Sequence, residues 1–177
     1  LAALALTLLS GASAFAQSKV ENATVAFLMP DQASTRYEEH DFPGFEAEMK
    51  KLCADCTVIY QNANADVALQ QQQFNSVLAQ GAKVIVLDPV DSAAAAALVT
   101  LAQSQGVKVI AYDRPIPDAP ADYYVSFDNF QVGALEGQSI LDGLAAAGKD
   151  PATASVVYVG GDPKDGNAAF FHDGAVS

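Results

Sequence analysis

The chain has 177 residues, 51% of them hydrophobic, and its 21 acids outnumber nine lysines and arginines to give a formal net charge of −12. That balance excludes nucleic acid and anionic membranes as partners, because both require a basic face. A chain this apolar also has the means to build a core, which excludes a disordered tail.

Residues 1–16 read as a secretory signal. Leu1 to Leu9 form an apolar run, small residues follow, and Ala14-Phe15-Ala16 fits a small-x-small cleavage site that would leave Gln17 as the new N-terminus. No Met, Lys or Arg precedes the run, so the sequence is expected to begin partway into its signal. The absence of a Cys near the cleavage point favours release into the periplasm over a lipid anchor. The run is shorter than the ~20 residues of a membrane-spanning helix, and no later segment is longer, which predicts a protein free in solution.

From Thr24 onward, short apolar runs alternate with segments of helical period, the pattern of βαβ units and a parallel sheet covered on both faces. The predicted strands are Thr24–Met29, Thr57–Gln61, Val84–Leu87, Val107–Tyr112, Tyr123–Phe127 and Ser155–Val159. Phe42, Phe45, Met49 and Leu52 mark a first helix, with Pro43 suited to its first turn. A second runs from about Asp66 to Gln80, with Val67, Phe74, Val77 and Leu78 on one side and Gly81 as its stop. The run of glutamines from 70 to 73 and the five alanines from 93 to 97 read as helix-favouring filler. The third helix is capped by Asp91 or Ser92 and ends at Gly106. The fourth covers about Asn129 to Ala147, with Gly133, Gly137, Ile140 and Leu144 on one stripe and Gly148 as its end.

In open parallel sheets, ligands bind outside the carboxyl ends of the strands. Here the residues just after each strand are polar: Asp31, Asn62, Asp88, then Asp113 and Arg114, then Asp128 and Asn129. Such a rim suits a ligand made of hydroxyl groups, since carboxylates accept, amides do both and arginine donates in a planar fork. Helix capping is the competing role for Asp88, Asp128 and Asn129. Arg114, directly after Val109-Ile110-Ala111-Tyr112, is no cap and is expected partly buried at the rim, facing a ligand.

No G-x-G-x-x-G or P-loop follows the first strand, so a nucleotide cofactor has no phosphate cradle. His40 and His172 lack the spacing of a metal site, and no G-x-S-x-G marks an esterase. The sequence therefore points to no cofactor, no metal and no enzyme. Cys53 and Cys56 form a C-x-x-C pair that closes a helix instead of opening one, where the helix dipole would not favour a thiolate. A structural disulfide is expected over a redox site.

Several phrases together resemble type I periplasmic sugar-binding proteins of ABC importers, and among them the D-xylose-binding branch. They are V-A-F-L-M-P-D with S-T-R-Y, L-D-P-V-D-S-A-A-A-A, V-I-A-Y-D-R, Y-Y-V-S-F-D-N and V-G-G-D-P-K-D-G-N-A. The resemblance implies two α/β lobes, each with a doubly wound parallel sheet, closing over one monosaccharide. It implies a first lobe over residues 17–128, nearly complete, and the start of a second over 129–177. Arg36 and Arg114 are similar to the family's two sugar-binding arginines, and Tyr37 to an aromatic that packs on the sugar face. Asp31, Asp113 and Asn129 belong to the same rim. Asp165 and Asn167 resemble ligands from the second lobe, with Gly166 where the family often has another Asn. The implied partners are a monosaccharide, D-xylose or another pentose or hexose, the membrane permease of the importer, and a chemoreceptor as a further candidate. The full-length protein is expected to be a monomer. The sensing domain of a transcription regulator shares the fold and is the alternative reading.

Overall fold

The computed structural model describes residues 22–177, so the signal-peptide reading of 1–16 lies outside the described residues. Five parallel strands form one sheet in the order β2-β1-β3-β4-β5. They are β1 (Thr24–Met29), β2 (Thr57–Asn62), β3 (Val84–Leu87), β4 (Lys108–Tyr112) and β5 (Tyr123–Val125). The helices are α1 (Phe42–Leu52), α2 (Val67–Ala79), α3 (Ala95–Ser104), α4 (Asn129–Ala146) and α5 (Asn167–Ala175). The order reverses direction at β1 and β3, as in a doubly wound fold, and helices cover the sheet on both faces.

Alternation along β1 divides the core in two. Ala26 and Leu28 point to one face and pack with Ile85, Leu87 and Val109 beneath Phe74 and Val77 of α2 and Leu98, Val99 and Ala102 of α3. Phe27 and Met29 point to the other face, where Tyr37 and Val86 are also buried and Phe42 and Phe45 of α1 close over them. The Phe27 and Phe45 rings stand 4.7 Å apart, and the Phe42 ring stacks on Tyr60 at 4.1 Å. Such pairs add about 0.5–1.5 kcal/mol each beyond their buried area.

Side chains cap α2 and α4, whereas α3 has Ala94 at its N-cap, not Asp91 or Ser92, and Asp91 closes the turn before it. Asp66 accepts from the Ala68 and Leu69 N–H groups at the start of α2, Asp91 from those of Ala93 and Ala94, and Asp128 from that of Gln131 in α4. Asp88 caps nothing, and Ser92 serves a different partner described below. A turn of π-helix, Tyr37–Asp41, leads straight into α1. Cys53 and Cys56 form the expected disulfide just past the end of α1.

Three further expectations are corrected. Ser155–Val159 is extended but joins no ladder, and Val157 and Val159 are almost fully exposed. A strand requires a hydrogen-bonded neighbour, and among the described residues none lies beside it. β5 also stops at Val125, because Ser126 turns its hydroxyl back to the Asp113 carbonyl. On α4, Ile140 is exposed, and the stripe instead works through its glycines. A Cβ on Gly133 would stand 2.1 Å from the Phe171 carbonyl oxygen, and one on Gly174 would stand 2.0 Å from that of Phe130. The two helix backbones therefore touch, which only glycine permits.

Candidate functional site

The strands end on one edge, and the residues that follow them share a rim. Asp113 is its centre. It sits directly after β4 with φ at +57°, in the left-handed region that Asp tolerates better than most residues. Its N–H donates to the Val125 carbonyl at 2.9 Å. Its own carbonyl accepts from the Ser126 hydroxyl at 2.7 Å, the Tyr124 hydroxyl at 3.1 Å and the Asn167 amide at 3.1 Å. Its carboxylate Oδ2 accepts from Arg36 Nη2 and from the Tyr37 hydroxyl, both at 2.8 Å. Three segments are thus tied to one residue held in an uncommon conformation.

Arg114 follows at once and reaches across the rim. Its Nη2 donates to Asp31 Oδ2 at 2.9 Å and its Nη1 to the Pro89 carbonyl at 3.2 Å. Its Nε lies 3.2 Å from Asp165 Oδ2 and 3.7 Å from Asp88 Oδ1. Burial opposes the guanidinium charge, yet Asp88, Tyr37, Asp165 and Asp31 together hold its pKa above the ordinary value. Arg36 is balanced in the same way, with burial offset by Asp113 and Asp41, whose Oδ2 lies 3.1 Å from its Nε. Burial raises the Asp165 carboxyl pKa.

The chain beyond α4 returns to this rim. Ser92 N–H donates to the Lys164 carbonyl at 3.0 Å, and the Gly166 N–H donates to Ser92 Oγ at 3.1 Å. A Cβ on Gly166 would stand 2.7 Å from Pro115 Cγ and 3.2 Å from Ser92 Oγ. Glycine is thus what lets the loop lie against the rim, where an Asn would not fit. Asn167 Oδ1 accepts from the buried Asn129 amide at 2.8 Å.

The structure therefore brings together Asp31, Arg36, Tyr37, Asp113, Arg114, Asn129, Asp165 and Asn167. Tyr37 differs in its role. Its ring is buried, 3% exposed, against Phe27 and Met29, so it presents an edge hydroxyl and no stacking face. Burial, then Asp88 and Asp113, push that hydroxyl's pKa far up and keep it a donor. An exposed ring does stand nearby. Phe127 lines a cavity of about 180 Å³ with Arg36, Tyr112, Asp113, Val125 and Ser126.

Three contributors were not singled out from the sequence. Gln70 is buried within a run of glutamines, and its amide donates to the Asp88 carbonyl and accepts from the Val90 N–H, both at 2.8 Å. It clamps the loop that carries Asp88 and Pro89. Ser92 and Ser126 are the other two. Only Gln70 leaves a sequence signal, since it falls on the buried face of α2 with Phe74 and Val77.

Chemically, the rim offers two planar donor forks interleaved with carboxylate and amide acceptors. Among the described residues, no group of three or more His, Cys, Asp or Glu side chains is placed to hold a metal ion, and no helix is long and apolar enough to cross a membrane.

The sequence and fold match a known family. The family model "Periplasmic binding protein domain" matches residues 25–177, and the chain belongs to that family. It is 38% identical over 168 residues to the multiple sugar-binding periplasmic receptor ChvE of Rhizobium radiobacter, covering 94% of this chain and 45% of that protein. It is 35% identical over 117 residues to the D-xylose-binding periplasmic protein of Escherichia coli, covering 66% of this chain and 33% of that one. Among solved structures, an ABC transporter solute-binding protein from Clostridium phytofermentans with bound β-D-glucose superposes with a TM-score of 0.74 at 32% identity. That match covers 86% of this chain and 46% of the other. The α/β fold is that of the type I periplasmic binding proteins, and the chain spans less than half the length of these relatives.

Proposed function

We propose that this chain is part of the periplasmic substrate-binding component of an ABC sugar importer, and that it binds a monosaccharide without transforming it. The observation that carries this reading is the convergence of Arg36 and Arg114, from loops after β1 and β4, on one cluster of carboxylates. A neutral polyol matches such a rim because each hydroxyl both donates and accepts, and it brings no charge of its own to upset the balance.

Residues 17–128 form the first lobe in this reading, and 129–177 begin the second. Asp165 and Asn167 then supply contacts from the second lobe, and ligand favours the closed state because it touches both sides. Phe127, in place of Tyr37, is the aromatic available to a sugar face. The cavity beside it is smaller than the ~300 Å³ of usual ligand clefts, in keeping with a wall whose opposite side lies on the second lobe. D-Xylose is the favoured sugar, supported by the Y-D-R and S-F-D-N phrases and by the D-xylose-binding relative. Other pentoses and hexoses come next, given relatives that bind several sugars or glucose. The closed form would then dock on a membrane permease.

Calorimetric titration of the two-lobed protein with D-xylose, D-ribose, L-arabinose, D-galactose and D-glucose tests this. Saturable binding of at least one sugar, tightest for D-xylose, is expected. No binding of any of them would refute the reading.

A further inference from the structure

Asp88 has no part in the sugar contacts assigned above, and its surroundings are unusual. It is 0% exposed, and neither carboxylate oxygen has a hydrogen-bond partner. Arg114 Nε, at 3.7 Å, is too far for a hydrogen bond and is itself without one. The shorter contacts of that guanidinium go to Asp31 and Asp165. Gln70 fixes the Asp88 backbone from behind, so the side chain is held at the rim's floor by design of the loop.

The charge balance is equally uneven. Asp31, Asp41, Asp88, Asp113 and Asp165 surround two guanidinium groups. Facing Asp88 are Arg114 and Asp113 after β4, Tyr37 in the π-helical turn and Asp165 before α5. The Tyr37 hydroxyl also lies close to Asp88, but its one hydrogen goes to Asp113 at 2.8 Å. A buried ion with no donor is among the costliest arrangements in a protein, whereas a neutral carboxylic acid brings its own donor.

We propose that Asp88 is a positioning residue for Arg114 that works as a neutral carboxylic acid, giving the guanidinium a polar, uncharged floor and leaving its charge to Asp31, Asp165 and the ligand. The effect on sugar rests on the reading of the rim as a sugar site, but the state of Asp88 does not. Burial raises the carboxyl's affinity for its proton and Asp113 and Asp165 add to this, while Arg114 and the Tyr37 hydroxyl oppose it. At low pH the group is neutral in folded and unfolded chains alike. Above the unfolded value of about 4, the unfolded chain releases the proton and the folded chain keeps it, so Asp88 withdraws stability as pH rises.

The experiment is a series of thermal melts of wild type and Asp88→Asn between pH 4 and pH 8, with Asp88→Ser as a second uncharged variant. The difference, variant minus wild type, is expected to grow in the variant's favour by several degrees as pH rises. A difference that runs the other way or stays flat, or loss of folding in both variants at every pH, overturns the proposal, because it means the ion is needed or no proton is held. In the two-lobed protein, sugar affinity of wild type should weaken as pH rises through the Asp88 transition while that of Asp88→Asn stays within about threefold. No sugar binding at all, beside the expected melts, would sink the sugar reading alone.

Discussion

Arg114 donates from both ends of its guanidinium, to Asp31 and to the Pro89 carbonyl, and stands close to Asp165. Lysine cannot reproduce that planar fork. Arg114→Lys is therefore expected to weaken sugar binding about ten- to hundredfold, the range for one charge-assisted hydrogen bond, with little change in the melting temperature. Calorimetry and a melt on the same sample check both halves. Gly166 makes a second prediction: Gly166→Ala drives a methyl into Pro115, a ring that cannot swing aside. The loop carrying Asp165 and Asn167 must lift, so affinity should fall while the melting temperature moves little. Unchanged affinity would show that this loop does not touch the ligand. At this scale the sequence was legible where chemistry is unusual for its place. An arginine between Asp113 and Pro115 has no structural use as a cap, and it does sit at the rim. The burial of the Tyr37 ring was not legible, because nothing in a sequence says whether an aromatic offers its face or its edge. Its burial depends on Phe27 and Met29, brought in by strand alternation.

At the scale of elements, the strand-to-helix rhythm was legible because each helix stripe and each short apolar run has one physical reading. Asp128 caps α4 as the sequence allowed, whereas Asp91 closes the turn before α3 and Ala94 stands at that helix's N-cap. Gln70 was hidden by its neighbours, since four glutamines in a row read as helix-favouring filler. The fold buries one of them to close the loop after β3. Gln70→Leu leaves a buried carbonyl at Asp88 and a buried N–H at Val90 without partners. A loss of about 2–4 kcal/mol is expected from the two orphaned groups, read as a lower urea midpoint with an unchanged slope. Gln71→Leu, on the exposed side of α2, serves as the comparison and should lose less than about 0.5 kcal/mol. Equal losses from the two would remove the clamp from the account. Ser155–Val159 was misread for the opposite reason: its residues have strand character, but a ladder depends on a neighbour that sequence pattern does not supply.

For the whole molecule, apolar surface lies uncovered on two sides. Phe130, Leu135, Ile140, Leu141, Val156, Val157, Tyr158 and Val159 are exposed around α4 and the segment after it. Tyr112, Val86 and Ile110 line an open apolar hollow of about 420 Å³ beside Phe45 of α1. Patches of this kind are rare on soluble monomers. The chain by itself is expected to bind a hydrophobic dye and to self-associate, and the two-lobed protein to do neither. Dye fluorescence and sedimentation velocity distinguish the cases, and a clean monomer that binds no dye would mean that these faces are covered some other way. The proposed ligand is a neutral solute, in keeping with the net charge of −12. The central claim is that Arg36 and Arg114 hold that solute between two lobes. A crystal structure of the two-lobed protein with D-xylose tests it most directly: guanidinium nitrogens of both residues should lie about 3 Å from sugar oxygens, with Asp165 or Asn167 on the opposite side. Sugar density away from both arginines, or bound to one lobe alone, would contradict it.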